Sequence, residues 1–237
     1  MQFNTDKLLF FDIETVSQLR GLYEMSEESL TMWMKYRETF LKKITNHERL
    51  EQEKLLGERG YNEEIYRQTS SFFPEFGKVS CVSMGFIRKG EYNYESFYGD
   101  NEIDILTQVR DIFNKVETMG YDLCGQNIKF FDIPFLGKRY FINGLIPPTL
   151  FPRHNTKPWE LRVLDTKDIW QFGNNWSLSS LDLQCLSLGL DSPKNGDVKG
   201  DNVTENHWNG EYKKISEYCE KDVKSLMDII TKLNELE

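Results

Sequence analysis

Four consecutive apolar residues, Leu8-Leu9-Phe10-Phe11, run directly into Asp12-Ile13-Glu14. An unbroken apolar run, in a strand expected over residues 7–13, marks a strand buried on both faces. Such a strand belongs to a sheet covered on both sides. Side chains two apart in a strand share a face, so Asp12 and Glu14 point one way and Ile13 the other. Two like charges side by side near a core are costly unless something cationic binds between them. The plain alternative is a strand that stops at Phe11 and leaves both acids in solvent.

The pattern downstream completes the class. Between residues 18 and 66 the chain changes character. Ser26 with Ser29 offers a helix cap, and Leu30, Trp33, Met34, Phe40, Leu41 and Ile44 recur at roughly helical spacing among many charges. They read as one or two amphipathic helices inserted after the first strand. Pro74-Glu75-Phe76-Gly77 marks a turn. Residues 79–87 and 91–98 then read as strands joined by a tight hairpin at Arg88-Lys89-Gly90. Helical periodicity covers 102–117, residues 121–125 and 163–165 read as short strands, and 131–141 reads as a helix with Pro134 in its first turn. Ser177 is expected to cap a helix reaching Leu190, residues 191–202 to form a loop, and a long final helix to start at Asn209. The early strands are expected to be antiparallel, and the later ones, which follow helices, parallel to the first. The class is α/β, a mixed central sheet flanked by helices. It is expected to be one domain over 1–237 with a helical insertion at about 18–70.

Bulk properties narrow the function. The 237 residues are 39% hydrophobic, enough for a substantial core, and 14% aromatic, which a disordered chain would not be. No run reaches the ~18 apolar residues of a membrane helix, so no membrane is expected. Residues 1–7 lack the pattern of a secretory signal. Cys81, Cys124, Cys185 and Cys219 are far apart, with no zinc-type spacing, and read as reduced, partly buried thiols of a cytoplasmic protein. With only His47, His154 and His207, a histidine-rich metal site is not expected. The net charge of -9 counts against a tight non-specific binder of long nucleic acid. It counts less against an enzyme gripping a few nucleotides at one end.

Two further segments place acids in unusual positions. In Gly125-Gln126-Asn127-Ile128-Lys129-Phe130-Phe131-Asp132 a short strand enters a loop, and Asp132 stands at or near a helix start. A capping acid is a common structural role, but it leaves Asn127 and the paired phenylalanines unexplained. On the final helix Tyr218 and Asp222 are four apart and share a face. The apolar stripe Ile215, Cys219, Val223, Leu226, Ile230 and Leu233 puts Asp222 at the edge of the buried side, with Glu220 and Lys221 solvated. A core-edge acid held by a local partner is the alternative there. Together Asp12, Glu14, Asp132 and Asp222 suit two hard divalent cations, which prefer oxygen ligands. Two such ions about 4 Å apart can activate a water and stabilise the leaving oxygen of a phosphodiester. Neither a Ser or Cys nucleophile triad nor a phosphate-binding Gly-Lys loop is visible.

Asp12-Ile13-Glu14-Thr15, Asn127 through Asp132, and Tyr218 through Asp222 resemble the three exonuclease motifs of the DnaQ-like superfamily, in its tyrosine-type branch. The resemblance is closest to the exonuclease domain of family B DNA polymerases and its stand-alone bacterial relatives. Pro74 through Val79 resembles the segment leading into the second strand of that group. Leu188-Gly189-Leu190 with Pro193, Lys194, Asp197 and Gly200 resembles its loop before the third motif. The resemblance implies a ribonuclease H-like fold and a 3′–5′ exonuclease using two Mg²⁺ or Mn²⁺ ions. Its substrate would be the 3′ end of single-stranded nucleic acid, DNA favoured, and its product nucleoside monophosphates. Asp12 would bridge both ions, Glu14 and Asp222 would hold the nucleophile-side ion, and Asp132 the leaving-group side. Tyr218 would orient the water, Thr15 and Asn127 would seat the terminal nucleotide, Phe130 or Phe131 would stack on a base, and Lys194 would contact phosphate. Core packing for at least one phenylalanine and a solvated Lys194 are the plain alternatives. Gln126 departs from the pattern, since many relatives carry His there. The insertion also lies outside it, and is expected to cover the active-site mouth, bind a protein partner or a second copy, or only add bulk. The contrasting expectation is a catalytically retired module that binds nucleic acid or protein. The intact set Asp12, Glu14, Asp132, Tyr218 and Asp222 argues against it.

Overall fold

The computed structural model describes residues 2–41, 46–174, 176, 179–192, 198 and 200–236, and side chains other than those of 38–50 and 52. In chain order the main elements are β1 (Leu8–Ser17), α1 (Glu27–Leu41), α2 (Asn46–Thr69), β2 (Gly77–Arg88), β3 (Glu91–Tyr98), α3 (Glu102–Thr118) and β4 (Asp122–Gly125). There follow α4 (Asp132–Ile142), β5 (Val163–Asp165), α5 (Thr166–Gln171), α6 (Leu181–Leu188), α7 (Val203–Trp208) and α8 (Tyr212–Asn234). The strands form one sheet in the order β3-β2-β1-β4-β5. β2 and β3 are antiparallel, and β1, β4 and β5 are parallel to one another. This is the mixed, helix-flanked sheet of a ribonuclease H-like fold.

The period-two pattern of β1 sorts its side chains between two cores. Leu9, Phe11 and Ile13 pack with Leu106, Val109 and Phe113 of α3 and Ile133, Phe135 and Leu136 of α4. Leu8 and Phe10 pack on the other side with Val223, Leu226, Met227 and Ile230 of α8. Burying each such side chain stabilises the fold by about 1.5–3 kcal/mol. α4 is anchored further by a buried ion pair: Arg139 donates to Glu102, whose carboxylate also accepts from the Val79 amide at 2.8 Å and the Asn143 amide at 2.8 Å. α3, α4 and β2 are thereby tied together.

Boundaries differ from expectation where local chemistry decides them. β1 does not stop at Ile13 but continues to Ser17, so Asp12 and Glu14 are strand residues. α6 starts at Leu181, with Ser180 accepting from the Leu183 amide at 3.3 Å, and ends where Gly189 turns left-handed at φ 70°. It therefore stops short of Leu190, and Ser177 lies outside the described residues. The final helix begins at Tyr212, not Asn209, because Gly210 at φ 78° separates it from the short α7. The expected hairpin is present, with Lys89 at φ 54° and Gly90 at φ 80°, the twist a two-residue turn needs.

The chain forms two compact units, Met1–Glu14 with Val79–Glu237, and Thr15–Lys78. The second contains α1 and α2, the latter broken at Gly57 (φ 70°, ψ 163°). The Ser26 hydroxyl accepts from the Ser29 amide at 3.2 Å at the start of α1, as the sequence suggests. This unit has its own core of Trp33, Tyr61, Ile65 and Tyr66. Trp33 meets Tyr66 and Phe76 edge-on, each with ring centres 5.1 Å apart. The side chains of Phe40, Leu41 and Ile44 lie outside the described set.

Candidate active site

Asp12 and Glu14 continue the row begun by Leu8 and Phe10, so they face the side of the sheet that α8 covers. α8 comes close because β2 carries Gly85 beneath it. A Cβ there would stand 2.8 Å from Val223 Cγ1 and 2.9 Å from Met227 Sδ. The same helix supplies Tyr218, Cys219 and Asp222. The Cys219 thiol donates to the Asp12 carbonyl at 3.4 Å and to Asp12 Oδ2 at 3.5 Å. One ligand atom from each of Asp12, Glu14 and Cys219 lies within 4.8 Å of the others. Asp132 is the first residue of α4, only 3% exposed, and its carboxylate accepts from its own amide and that of Ile13.

The electrostatics of this cluster are one-sided. Glu14 is 9% exposed, and among the described residues no hydrogen bond reaches its carboxylate. Burial, then Asp222, Cys81 and Asp132, push its carboxyl well above the usual range. Burial, then Asp222, Asp132 and Glu14, do the same to Asp12, with the Cys219 thiol opposing them. Burial leads again at Asp132, whose pKa rises from 3.8 to about 8, with Asp165 and Asp222 adding to it and the two amides opposing. Burial, then Asp222, Glu14 and Asp12, raise the Tyr218 hydroxyl. Five of the sequence-derived residues, Asp12, Glu14, Asp132, Tyr218 and Asp222, are therefore brought into one mutually repelling group. A bound cation would relieve that repulsion.

The remaining candidates are placed differently. Asn127 adopts a left-handed conformation (φ 60°), and its side-chain oxygen accepts from Lys167 Nζ at 2.8 Å. Its amide donates to Asp165 at 2.8 Å, and Asp165 also accepts from the amides of Lys129 at 3.2 Å and Lys167 at 3.0 Å. Asp165, 2% exposed, is thus the buried clamp of the loop that leads to Asp132. It is absent from the sequence-derived set. The available signal was an acid followed by Thr166 at a strand–helix junction, an N-cap pattern. Gln126 accepts from Thr166 and from Gln184 Nε2 at 3.0 Å, and donates to the Ser179 carbonyl. A neutral amide thereby serves as both donor and acceptor in a half-buried network. Phe131 is half-buried with its ring 5.6 Å from that of Phe135, whereas Phe130 is 73% exposed. The Thr15 hydroxyl donates to the Ser71 carbonyl at 2.8 Å. Lys194 lies outside the described residues.

A parallel β1–β4–β5 core with acids within β1, at the start of α4 and on the last helix defines a DnaQ-like, ribonuclease H-like exonuclease domain. The chain belongs to the family of predicted 3′–5′ exonucleases related to the exonuclease domain of PolB, which matches over residues 74–228. That match includes Asp132, Tyr218 and Asp222 and begins after Asp12 and Glu14. Among solved structures, the family B DNA polymerase of the hyperthermophilic archaeon Pyrobaculum calidifontis is similar in fold. Its TM-score is 0.56 at 15% identity, over 95% of this chain and 24% of the polymerase. No curated protein sequence matches the chain. Among the described residues no helix is long and apolar enough to cross a membrane.

Proposed function

We propose that the protein is a metal-dependent 3′–5′ exonuclease that releases nucleoside monophosphates from single-stranded nucleic acid, DNA in preference to RNA. The observation that carries this reading is Glu14: a buried carboxylate without a hydrogen-bond donor among the described residues, surrounded by other acids. Oxygen-rich, mutually repelling groups of this kind fit hard divalent cations. Asp12, Glu14, Asp132 and Asp222 would hold a pair of Mg²⁺ or Mn²⁺ ions. Such a pair supplies activation of the attacking water and stabilisation of the leaving 3′ oxygen.

The chain's own groups do the rest. Burial and three carboxylates raise the Tyr218 hydroxyl in the metal-free site, which favours its protonated form. As a hydrogen-bonding group beside the ions it would orient the water, which bound metal itself activates. Asn127 and Phe131 seat the terminal nucleotide, on a loop whose conformation Asp165 fixes. The two compact units work as one exonuclease domain, with the helical unit as an insertion in it. All four cysteines are free and buried, which fits a reducing cytoplasm.

The test is incubation of 5′-labelled single-stranded DNA and RNA with Mg²⁺, Mn²⁺ or EDTA, alongside Asp12→Ala. A metal-dependent ladder shortening from the 3′ end, stronger on DNA and absent in the variant, is expected. A folded protein that shortens neither strand with either metal refutes the reading.

A further inference from the structure

We propose that Phe172 and Phe130 form a stacking ledge for the single strand upstream of the 3′-terminal nucleotide, an inference that rests on the exonuclease reading. Phe172 ends α5 in a left-handed conformation, φ 46° and ψ 39°. An L residue with a bulky side chain avoids this region, and helices that end there use glycine or asparagine. The ring gains nothing from packing in return, since the residue is 87% exposed. Folding therefore bears two costs at Phe172, a strained backbone and an aromatic ring in water. Costs of this kind cluster at binding surfaces.

Phe172 is also tied to the candidate active site. β4 and β5 run parallel with Gly125 opposite Asp165, so both strands leave the sheet at the same end. The loop after β4 carries Asn127, Lys129 and the exposed Phe130, and leads into Asp132. The segment after β5 carries α5 and Phe172. Three groups cross-link them: Asp165 accepts from the Asn127 and Lys129 amides, Lys167 donates to Asn127, and Lys129 Nζ meets Asp168 at 2.5 Å. Phe172 follows Asp168 by one helical turn, and Phe130 follows the Lys129 that grips it.

The chemistry selects a nucleic-acid strand as the occupant. Phe130 lies on the loop that carries Asn127 and leads into Asp132, and Phe172 ends the helix that Lys129 grips through Asp168. Its nearby lysines, Lys129 and Lys167, are already engaged by Asp168 and Asn127. In a chain of net charge -9, stacking offers a grip that needs no basic groove. Base–aromatic stacking is tolerant of sequence and extends over successive bases.

Phe172→Gly separates this role from a structural one, because glycine accepts the left-handed conformation while the ring is lost. Binding of a 5′-labelled oligonucleotide of about 12 nucleotides and of a trinucleotide is compared by anisotropy in Ca²⁺, together with KM for both in Mg²⁺ and thermal melting. For the 12-mer, affinity is expected to fall roughly 10-fold and KM to rise roughly 10-fold in Phe172→Gly and in Phe130→Ala. The trinucleotide should lose far less, and the melting temperature of Phe172→Gly should not fall. Equal losses on both lengths with a lowered melting temperature would overturn the ledge. Unchanged affinity for the 12-mer would also overturn it and point to a protein partner for these rings. If the wild type cuts neither oligonucleotide, the exonuclease reading fails, and the anisotropy titration still decides the ledge.

Discussion

When no cation is bound, burial and neighbouring acids favour the protonated forms of Glu14 and Asp132. Asp132 titrates near 3.9 in an unfolded chain, against about 8 in the fold. Between those values the folded chain retains a proton that the unfolded chain has released. The Asp132 contribution to metal-free stability therefore falls as pH rises from about 4 to about 8 and levels off above. Asp12 and Glu14 shift in the same direction and add to the trend. Melting of the chelator-treated protein from about pH 5 to about pH 8 should show the decline, Asp132→Asn should reduce it, and saturating Mn²⁺ should flatten it. A melting temperature that rises over this range contradicts the account. Asp12 and Glu14 were legible in the sequence because a period of two fixes their side once β1 is recognised. Asp165 was not, because a lone acid after a three-residue strand looks like any helix cap until its three amide donors are seen.

At the scale of elements, the candidate site is a junction: the middle of β1, the start of α4 and one face of α8. The loop before α4 is the least regular of these parts, and Asp165 holds it through the Asn127 and Lys129 amides while capping α5 through that of Lys167. Asp165→Ala leaves those amides without their acceptor, and stability should fall by roughly 2–4 kcal/mol. Exonuclease activity should fall further than the fraction folded accounts for. Chemical denaturation with activity measured on the same samples checks both; a change below about 0.5 kcal/mol with full activity contradicts the clamp. Strong periodicity exposed β2, β3, α3 and α8 to within a few residues. The six-residue helices α5 and α7 were missed because so short a span gives no readable period. The seat of α8 was hidden as well: in the sequence Gly85 is one more glycine, and only the packing shows that α8 needs its missing Cβ.

Over the whole molecule, the family match covers 74–228, while the first acidic pair precedes it and the helical unit lies in between. Helical spacing revealed that residues 18–66 carry amphipathic helices. It did not reveal that Thr15–Lys78 forms a compact unit with an aromatic core of its own, because that core joins Trp33 to Tyr61 and Tyr66 across a long sequence gap. Composition favoured neither DNA nor RNA, and the net charge of -9 misleads if read alone, since part of it is the carboxylate cluster itself. In the proposed function this cluster holds divalent cations for cutting a 3′-terminal phosphodiester. The most direct measurement is the rate of mononucleotide release from single-stranded DNA as Mn²⁺ concentration is raised, for the wild type and Asp12→Asn. Release is expected to be absent without metal, to saturate with it, and to drop roughly 10³–10⁴-fold in the variant. Release that is independent of metal, or equal in the two proteins, would contradict it.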